Sequence, residues 1–469
     1  MNDAVKKIHA ASMTILEKTG MRFQHPEVID LLKEKGIRVE GETAFFTEDQ
    51  LMHWVKKAPE SFKVYARNSA YDVVLGGDNM EVAAGYGSPY MVDRDGTKRK
   101  GCLEDYITFL KLVQESELFN VNGGILVEPS DVDSRFNASV MLYNTMAHSD
   151  KVLIGLEGNE TQMTHLMEML KIAFGGAEAI IEKPRMMTIV NTLSPLQMDR
   201  NALDTLLAYA RNGQPVFVTP AAMAGFTSPI TLAGMIAMGN AETLAGIALT
   251  QMVREGVPVV YGNQCTSADM GTGGFVVGSP EHALSIACAA QMAKSYGLPC
   301  RSGGGSSDAM NLCAQTGYEG MMLLSTCSRE NVNIVLLAAG ALDSVKSMSF
   351  DKFMVDLEMI SMVKRIRQGI TVDEDTLALD LISEIGPGGE FMTSMHTLKR
   401  CRKEIWNPEI SVRKHADGVS AQEALLARID KKRDAMLHGY QRPELAPEVN
   451  EALKGYLASQ GVSPEWLCG

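Results

Sequence analysis

Leu298-Pro299-Cys300-Arg301, then Ser302-Gly303-Gly304-Gly305-Ser306-Ser307-Asp308, then residues 309–330, then Val332-Asn333-Ile334-Val335-Leu336-Leu337-Ala338-Ala339, give the unit from which the fold is read. The first and last runs are short and apolar, as strands buried on both faces are. The stretch between them has helical character and contains Gly317-Tyr318-Glu319-Gly320. Strand, glycine loop, helix and strand in that order make one βαβ unit. Three adjacent glycines leave backbone N–H groups with no Cβ in front of them, which suits close approach of a flat or anionic ligand. A plain turn explains the same residues, and the position just after a strand and before a helix favours the ligand.

The same alternation extends toward the N-terminus. Strand-like runs occupy 80–86, 119–127, 151–156, 185–191, 215–220 and 258–264, and helix-like runs occupy 133–149, 160–174, 203–212, 233–255 and 280–296. Apolar strands alternating with helices form a parallel sheet covered on both faces, and eight of them suit a closed (β/α)8 TIM barrel. The expected fold is therefore α/β, with a barrel core over 76–350. Residues 1–75 form an N-terminal helical extension ending in a hairpin, 63–66 with 71–75. Residues 351–469 form a C-terminal helical region packing on the barrel, broken at Gly386-Pro387-Gly388-Gly389. An open doubly wound sheet is the alternative. Its dinucleotide-binding form is disfavoured because no early G-x-G-x-x-G opens a helix after a strand.

Composition excludes several classes. With 469 residues, 45% hydrophobic and 22% charged, the chain can bury a large core. A net charge of −13 argues against nucleic acid, which needs clustered Lys and Arg. No apolar run is read as reaching a bilayer span and residues 1–20 have no signal-like apolar region, so no membrane association and a cytoplasmic location are expected. The eight cysteines include no C-x-x-C pair, and H-E-x-x-H is absent, so no metal site and no zinc are expected. The thirty methionines fall at helical spacing and are read as packing.

A barrel carries its active site at the C-terminal ends of its strands. Those ends hold Tyr86, Tyr90, Gly123, Glu157, Asn191, Thr219, Gln264, Ser302 with its glycines, and residues 340–344. The set is polar but has no Ser-His-Asp arrangement, no strand-end Lys for a Schiff base and no pair of carboxylates for acid–base work. A site so poor in exchangeable protons leaves the chemistry to a cofactor or a partner.

Ser302 to Asp308 with Gly317-Tyr318-Glu319 resembles the corrinoid-facing region of the trimethylamine methyltransferase superfamily. Gly340-Ala341-Leu342-Asp343-Ser344 leading into Ser349-Phe350-Asp351 is similar to it, as are Gly388-Gly389-Glu390-Phe391, His396-Thr397-Leu398 and Glu404-Ile405-Trp406-Asn407-Pro408. The likeness covers nearly the whole chain. Founding members carry pyrrolysine just after the sequence similar to Gly340–Asp343; here Ser344 or a close neighbour takes that place, so no pyrrolysine is expected. Members without it resemble methyltransferases acting on quaternary amines such as glycine betaine.

The resemblance implies a methyltransferase that moves a methyl group from a quaternary amine to Co(I) of a corrinoid, a cobalamin-type cofactor carried by a separate cognate protein. Self-association into a homo-oligomer is expected as well. The implied substrate contacts are Tyr86, Tyr90, Phe226, Tyr261 and Phe275 as an aromatic cage for the cation, with Asn191, Gln264 and His396. The implied corrinoid-facing residues are Ser302, Gly303, Gly304, Gly305, Ser306, Asp308 and Glu319. No catalytic residue is assigned; Glu319, Ser344 and His396 are the candidates. Glu319 reads equally as the partner of a nearby Arg such as Arg301, and His396 as a structural hydrogen-bonder. Two other readings stay open: a metal-independent barrel lyase or aldolase, and a quaternary-amine-binding protein without catalysis.

Overall fold

The computed structural model describes residues 3–413 and 418–468. Eight parallel strands form the centre: β1 Glu81–Val82, β2 Val121–Gly123, β3 Val152–Ile154, β4 Met186–Asn191, β5 Val216–Thr219, β6 Val259–Asn263, β7 Cys300–Gly303 and β8 Ile334–Leu336. Hydrogen-bonded neighbours run β1-β8-β7-β6-β5-β4-β3-β2. The two end strands approach through Gly87 N–H donating to Ile125 C=O at 2.8 Å and Glu128 N–H donating to Ser88 C=O at 2.9 Å. The result is a nearly closed barrel, as the alternation predicts.

Each strand is followed by a helix: α1 Leu103–Glu115, α2 Asn137–His148, α3 Glu160–Phe174, α4 Arg200–Arg211, α5 Leu232–Val253, α6 Pro280–Ser295, α7 Ala314–Arg329 and α8 Phe350–Gln368. The barrel's last helix thus lies beyond residue 350. Helix starts follow local chemistry. Asn159 and Gln162 form a capping box at α3, Asp199 caps α4, and Ser279 precedes Pro280 at the first position of α6.

Inside the barrel, Val121, Val152, Ile154, Met187, Ile189, Phe217, Val260, Ile334 and Leu336 pack together. Val64, Ala66, Val73 and Leu75 join them from the hairpin Phe62–Val64 with Val73–Leu75. That hairpin, expected from the sequence, plugs the N-terminal opening and leaves the C-terminal mouth as the way in.

Two expectations need correction. Helix α5 is long and apolar enough to cross a membrane, contrary to the reading that no run was, yet it is mostly buried against the barrel. Within it Glu242 is fully buried and accepts from Ser194 Oγ and Leu196 N–H, both at 2.8 Å, and from Thr192 Oγ1. The N-terminal region is not simply helical: Met21–Phe23, Arg38–Glu40 and Thr43–Phe45 form a sheet with Gln197–Met198. Three-residue strands are too short to display a period of two. A further sheet stands at the mouth, built from Tyr90–Val92, Lys98–Lys100, Ala341–Leu342 and Ser347–Met348.

After α8 the chain forms short helices Glu374–Leu377, Leu379–Ile385 and Met395–Glu404, none with a buried residue. Ala421–Gly439 then returns to pack on α1 and α8, and Pro447–Ser459 packs on α3.

At the base, Lys151 is 1% exposed and donates to the carbonyls of Val113 at 2.8 Å and Ser116 at 2.7 Å. Burial pushes its ammonium down from 10.5 to about 7. Between those values the unfolded chain holds a proton that the folded chain does not, so this lysine makes stability rise with pH there by up to ~1.4 kcal/mol per unit. The contribution is lost as pH falls through 7. Denaturant titrations of the wild type and Lys151→Met from pH 7 to 10 should show a flatter profile in the variant. Parallel profiles would mean that Lys151 keeps its proton when folded.

Candidate active site at the barrel mouth

Strand alternation fixes which side chains reach the mouth. Met187 and Ile189 point inward on β4, so Asn191 does also; Val260 points inward on β6, so Gly262 and Gln264 follow it. Arg301 lies beside inward Ile334 in the β7–β8 register, and Gly303 lies beside inward Leu336. Asn191, Gln264, Arg301 and Gly303 therefore share the inner face at the top.

Tyr86 closes one side, half-buried, with its hydroxyl 3.4 Å from the Gly155 carbonyl. Asn191 donates to Glu157 Oε2 at 3.3 Å. Glu157 still reaches solvent, yet enough protein surrounds it that burial raises its carboxyl. The Tyr86 phenol is raised by burial and then by Glu157, while Arg301 acts on it in the opposite direction. A carboxylate and a guanidinium thus act on one phenol in opposite directions.

Arg301 is 3% exposed. Its Nη1 donates to Gln264 Oε1 at 3.1 Å and to the Asn263 carbonyl at 3.4 Å, and its buried Nε has no partner. Burial pushes the guanidinium down to about 10.

Other expected contacts separate from this group. Tyr261 faces outward: its hydroxyl donates to Asn240 at 2.8 Å and its ring stacks on Tyr296 at 6.3 Å, so it is not part of a cage. The ring of Tyr90 already holds a cation, with Lys98 Nζ 4.4 Å from its centroid. Phe226 is 52% exposed and Phe275 half-buried, on loops after β5 and β6 joined by the pair Met223–Ala224 with Thr266–Ser267. They belong to a rim above the strands. His396 sits on Met395–Glu404, outside the barrel, with its Nε2 enclosed and unpartnered.

The glycine run is not an open platform. A Cβ on Gly304 would lie 2.3 Å from Val335 Cγ1, and one on Gly305 would lie 2.3 Å from the Ala338 carbonyl, with φ already at +58°. Gly304 N–H donates to Leu336 C=O at 2.9 Å. The glycines let the loop press onto β8, and only Gly303 faces inward, toward the Gln264 amide. Ser302 and Ser306 are buried as well.

Glu319 does not pair with Arg301. It accepts from Ser307 Oγ at 2.6 Å, Asp308 N–H at 2.9 Å and Gln315 Nε2 at 2.7 Å. Asp308 accepts from the amides of Val277 and Gly278, at 2.9 and 2.8 Å, and from Ser344 Oγ at 2.7 Å. Ser344 lies in the turn between Ala341–Leu342 and Ser347–Met348. These carboxylates hold loops together.

The sequence reading passed over Arg301 as a ligand contact and took it only as an ion-pair partner. Its signal was a lone charge within an apolar strand, at a position whose neighbours face inward. Among the described residues no group of three or more His, Cys, Asp or Glu is close enough to hold a metal ion.

The family model for trimethylamine methyltransferase (MTTB) matches residues 1–463. Glycine betaine methyltransferase of Desulfitobacterium hafniense is 39% identical over 98% of this chain and 96% of its own length. Proline betaine:corrinoid methyltransferase of Eubacterium limosum is 28% identical over 97% and 96%. The trimethylamine methyltransferase of Methanosarcina thermophila is 30% identical over 87% and 85%. Among solved structures, the monomethylamine methyltransferase of Methanosarcina barkeri superimposes with a TM-score of 0.51 at 9% identity, covering 98% of this chain and 94% of its own, which bears on the fold.

If Glu319 only holds the loop, Glu319→Leu should strip three donors of their acceptor. The expected cost is about 3 kcal/mol of stability, with the amine affinity of the folded protein unchanged. Thermal melting and calorimetry on this variant distinguish the roles; lost affinity at an unchanged melting temperature would return Glu319 to the site.

Proposed function

We propose a methyl donor and a methyl acceptor for this chain, which belongs to the trimethylamine methyltransferase family and is a methyltransferase with a TIM-barrel fold. The donor is a small quaternary amine of the betaine kind. The acceptor is Co(I) of a corrinoid carried by a separate protein, which reaches the barrel as a second substrate. The tertiary amine is released.

The observation that carries this reading is Glu157 two residues beyond the Gly155 carbonyl that the Tyr86 hydroxyl reaches at the mouth, near enough to act on its phenol. A carboxylate beside an aromatic face suits a quaternary ammonium, which offers no N–H and is held by charge and by ring quadrupole alone. Asn191, hydrogen-bonded to Glu157, orients the carboxylate. The relatives whose names include glycine betaine and proline betaine support the same donor.

The chemistry also fits a mouth poor in acids and bases. The methyl carbon passes to cobalt while the C–N electron pair stays on nitrogen. The amine leaves neutral and no proton moves. The residues need only hold the cation, aim one methyl outward and keep water from the path. A neutral tertiary amine has no such leaving group. Ser344 or a close neighbour, at the place where the resemblance puts the pyrrolysine of founding members, supplies no electrophile to make one.

Mixed with free cob(I)alamin, the enzyme should form methylcobalamin from glycine betaine or a related betaine and not from trimethylamine, read in the corrinoid's visible spectrum. Comparable rates with trimethylamine would sink the proposal.

We also propose that the chain self-associates. Between α8 and residue 405, Ile370, Val372, Leu379, Met392, Met395 and Leu398 are each at least 60% exposed. Apolar side chains gathered on one arm mark a protein interface, and a second copy of the chain supplies an equally apolar face. Light scattering should give a mass above 51.0 kDa that falls when Leu379, Met395 and Leu398 are replaced by Glu. A monomeric wild type would refute it.

A further inference from the structure

We infer that Arg301 and the amide of Gln264 form the receptor for the substrate's carboxylate, so that the barrel selects zwitterions over simple quaternary ammonium ions. The inference rests on the donor proposed above and assigns the end of it that the cation site leaves unexplained.

A guanidinium this deeply buried ordinarily stands opposite a carboxylate, because an unpaired buried charge is costly. Arg301 has none. The ionisable groups that favour its charge are the Tyr86 phenol and the Cys327 thiol, both neutral at ordinary pH. His282 is also close, but burial first and Arg301 among the further causes push it down to about 4, while Val277 C=O accepts from its Nδ1–H at 2.8 Å. It is uncharged and offers no counter-ion.

Protein acceptors satisfy only part of the fork. Nη1 reaches Gln264 Oε1 and the Asn263 carbonyl, while Nε is unpartnered. Gln264 repeats the pattern: its oxygen is used and its buried Nε2 has no acceptor. Two unsatisfied donor groups, one of them charged, thus stand together on the inner face of β6 and β7. A carboxylate oxygen pair is the ligand chemistry that matches a guanidinium edge and an adjacent amide. Glu157, two residues beyond the Gly155 carbonyl that the Tyr86 hydroxyl reaches, is near enough to act on the same phenol as Arg301. A zwitterion with its ammonium near Glu157 and its carboxylate at Arg301 would neutralise both.

The test compares glycine betaine with tetramethylammonium, which has the cation and no carboxylate, by calorimetry on the whole chain. Arg301→Gln should weaken glycine betaine by ~100-fold, the worth of a charge-assisted hydrogen-bond pair, and change tetramethylammonium by less than about threefold. Arg301→Lys, which keeps the charge and loses the planar fork, should weaken glycine betaine by about tenfold. Without ligand, Arg301→Gln should melt no lower than the wild type, because an unpaired buried charge has gone. Equal loss of both ligands, or retained betaine affinity, would overturn the inference. If Arg301→Gln does not fold, Arg301→Lys decides on the same two ligands. A wild type whose betaine affinity depends on Arg301 but which never methylates cob(I)alamin would overturn the methyltransfer reading and leave this one standing. A wild type that methylates cob(I)alamin and is indifferent to Arg301 would do the reverse.

Discussion

The buried pair Lys352–Asp356 in α8 holds the mouth in shape. Both side chains are fully buried, and each spends its remaining capacity on one loop. Lys352 Nζ donates to the Gly305 carbonyl at 2.8 Å, and Asp356 Oδ2 accepts from the Gly340 amide at 2.7 Å. These are the loops after β7 and β8. A buried ion pair persists only where geometry and extra hydrogen bonds offset its desolvation, and here both ions have them. Above this clasp Glu319 gathers Ser307, Asp308 and Gln315, and Asp308 reaches across to the loop after β6. Three successive strand ends are thereby fixed relative to one another.

With the loops spoken for, free chemistry is left to residues that point inward from the strands themselves. This is the more rigid place to hold a reactive geometry, because strand side chains inherit the barrel's register while loop side chains do not. Asn191, Gln264 and Arg301 stand on this inner face, and Glu157, on the loop after β3, joins Asn191 by a hydrogen bond. Glu157 and Arg301 bring opposite charges to this mouth.

The barrel was legible because buried parallel strands are short apolar runs and the helices between them are long. The glycine run and the carboxylates Glu319 and Asp308 were legible as unusual, but their purpose was not. Glycine serves a ligand's approach and a strand's approach equally well, and Val335 and the Ala338 carbonyl, which crowd Gly304 and Gly305, come from the next strand and the loop after it. Tyr261 illustrates the converse. Its place in a strand end was visible, but whether it faced the mouth or Asn240 depended on register to Val260, one residue away. Arg301 was hidden by the assumption that a charge in a strand seeks a protein partner; its lack of one emerges only when the surroundings are counted. The sheet of three-residue strands near the N-terminus carried no periodic signal at all.

The turn after Asp343 bears on which amine can react. Asp343, Ser344 and Val345 all have positive φ, at 52°, 52° and 65°, which non-glycine residues adopt in succession only when held. Lys98 Nζ grips Asp343 at 2.5 Å, Asp308 takes the Ser344 hydroxyl, and the Val345 carbonyl accepts from Ser88 Oγ at 2.8 Å. The Asp343 carboxylate, the Ser344 hydroxyl and the Val345 carbonyl are thus engaged in keeping the turn. It presents neither a nucleophile nor an electrophile toward an amine. With the proposed donor, activation of the C–N bond comes with the substrate, as a positive charge already on nitrogen. A protein that cannot create that charge has reason to recognise it, and to recognise with it the carboxylate that distinguishes a betaine from other cations.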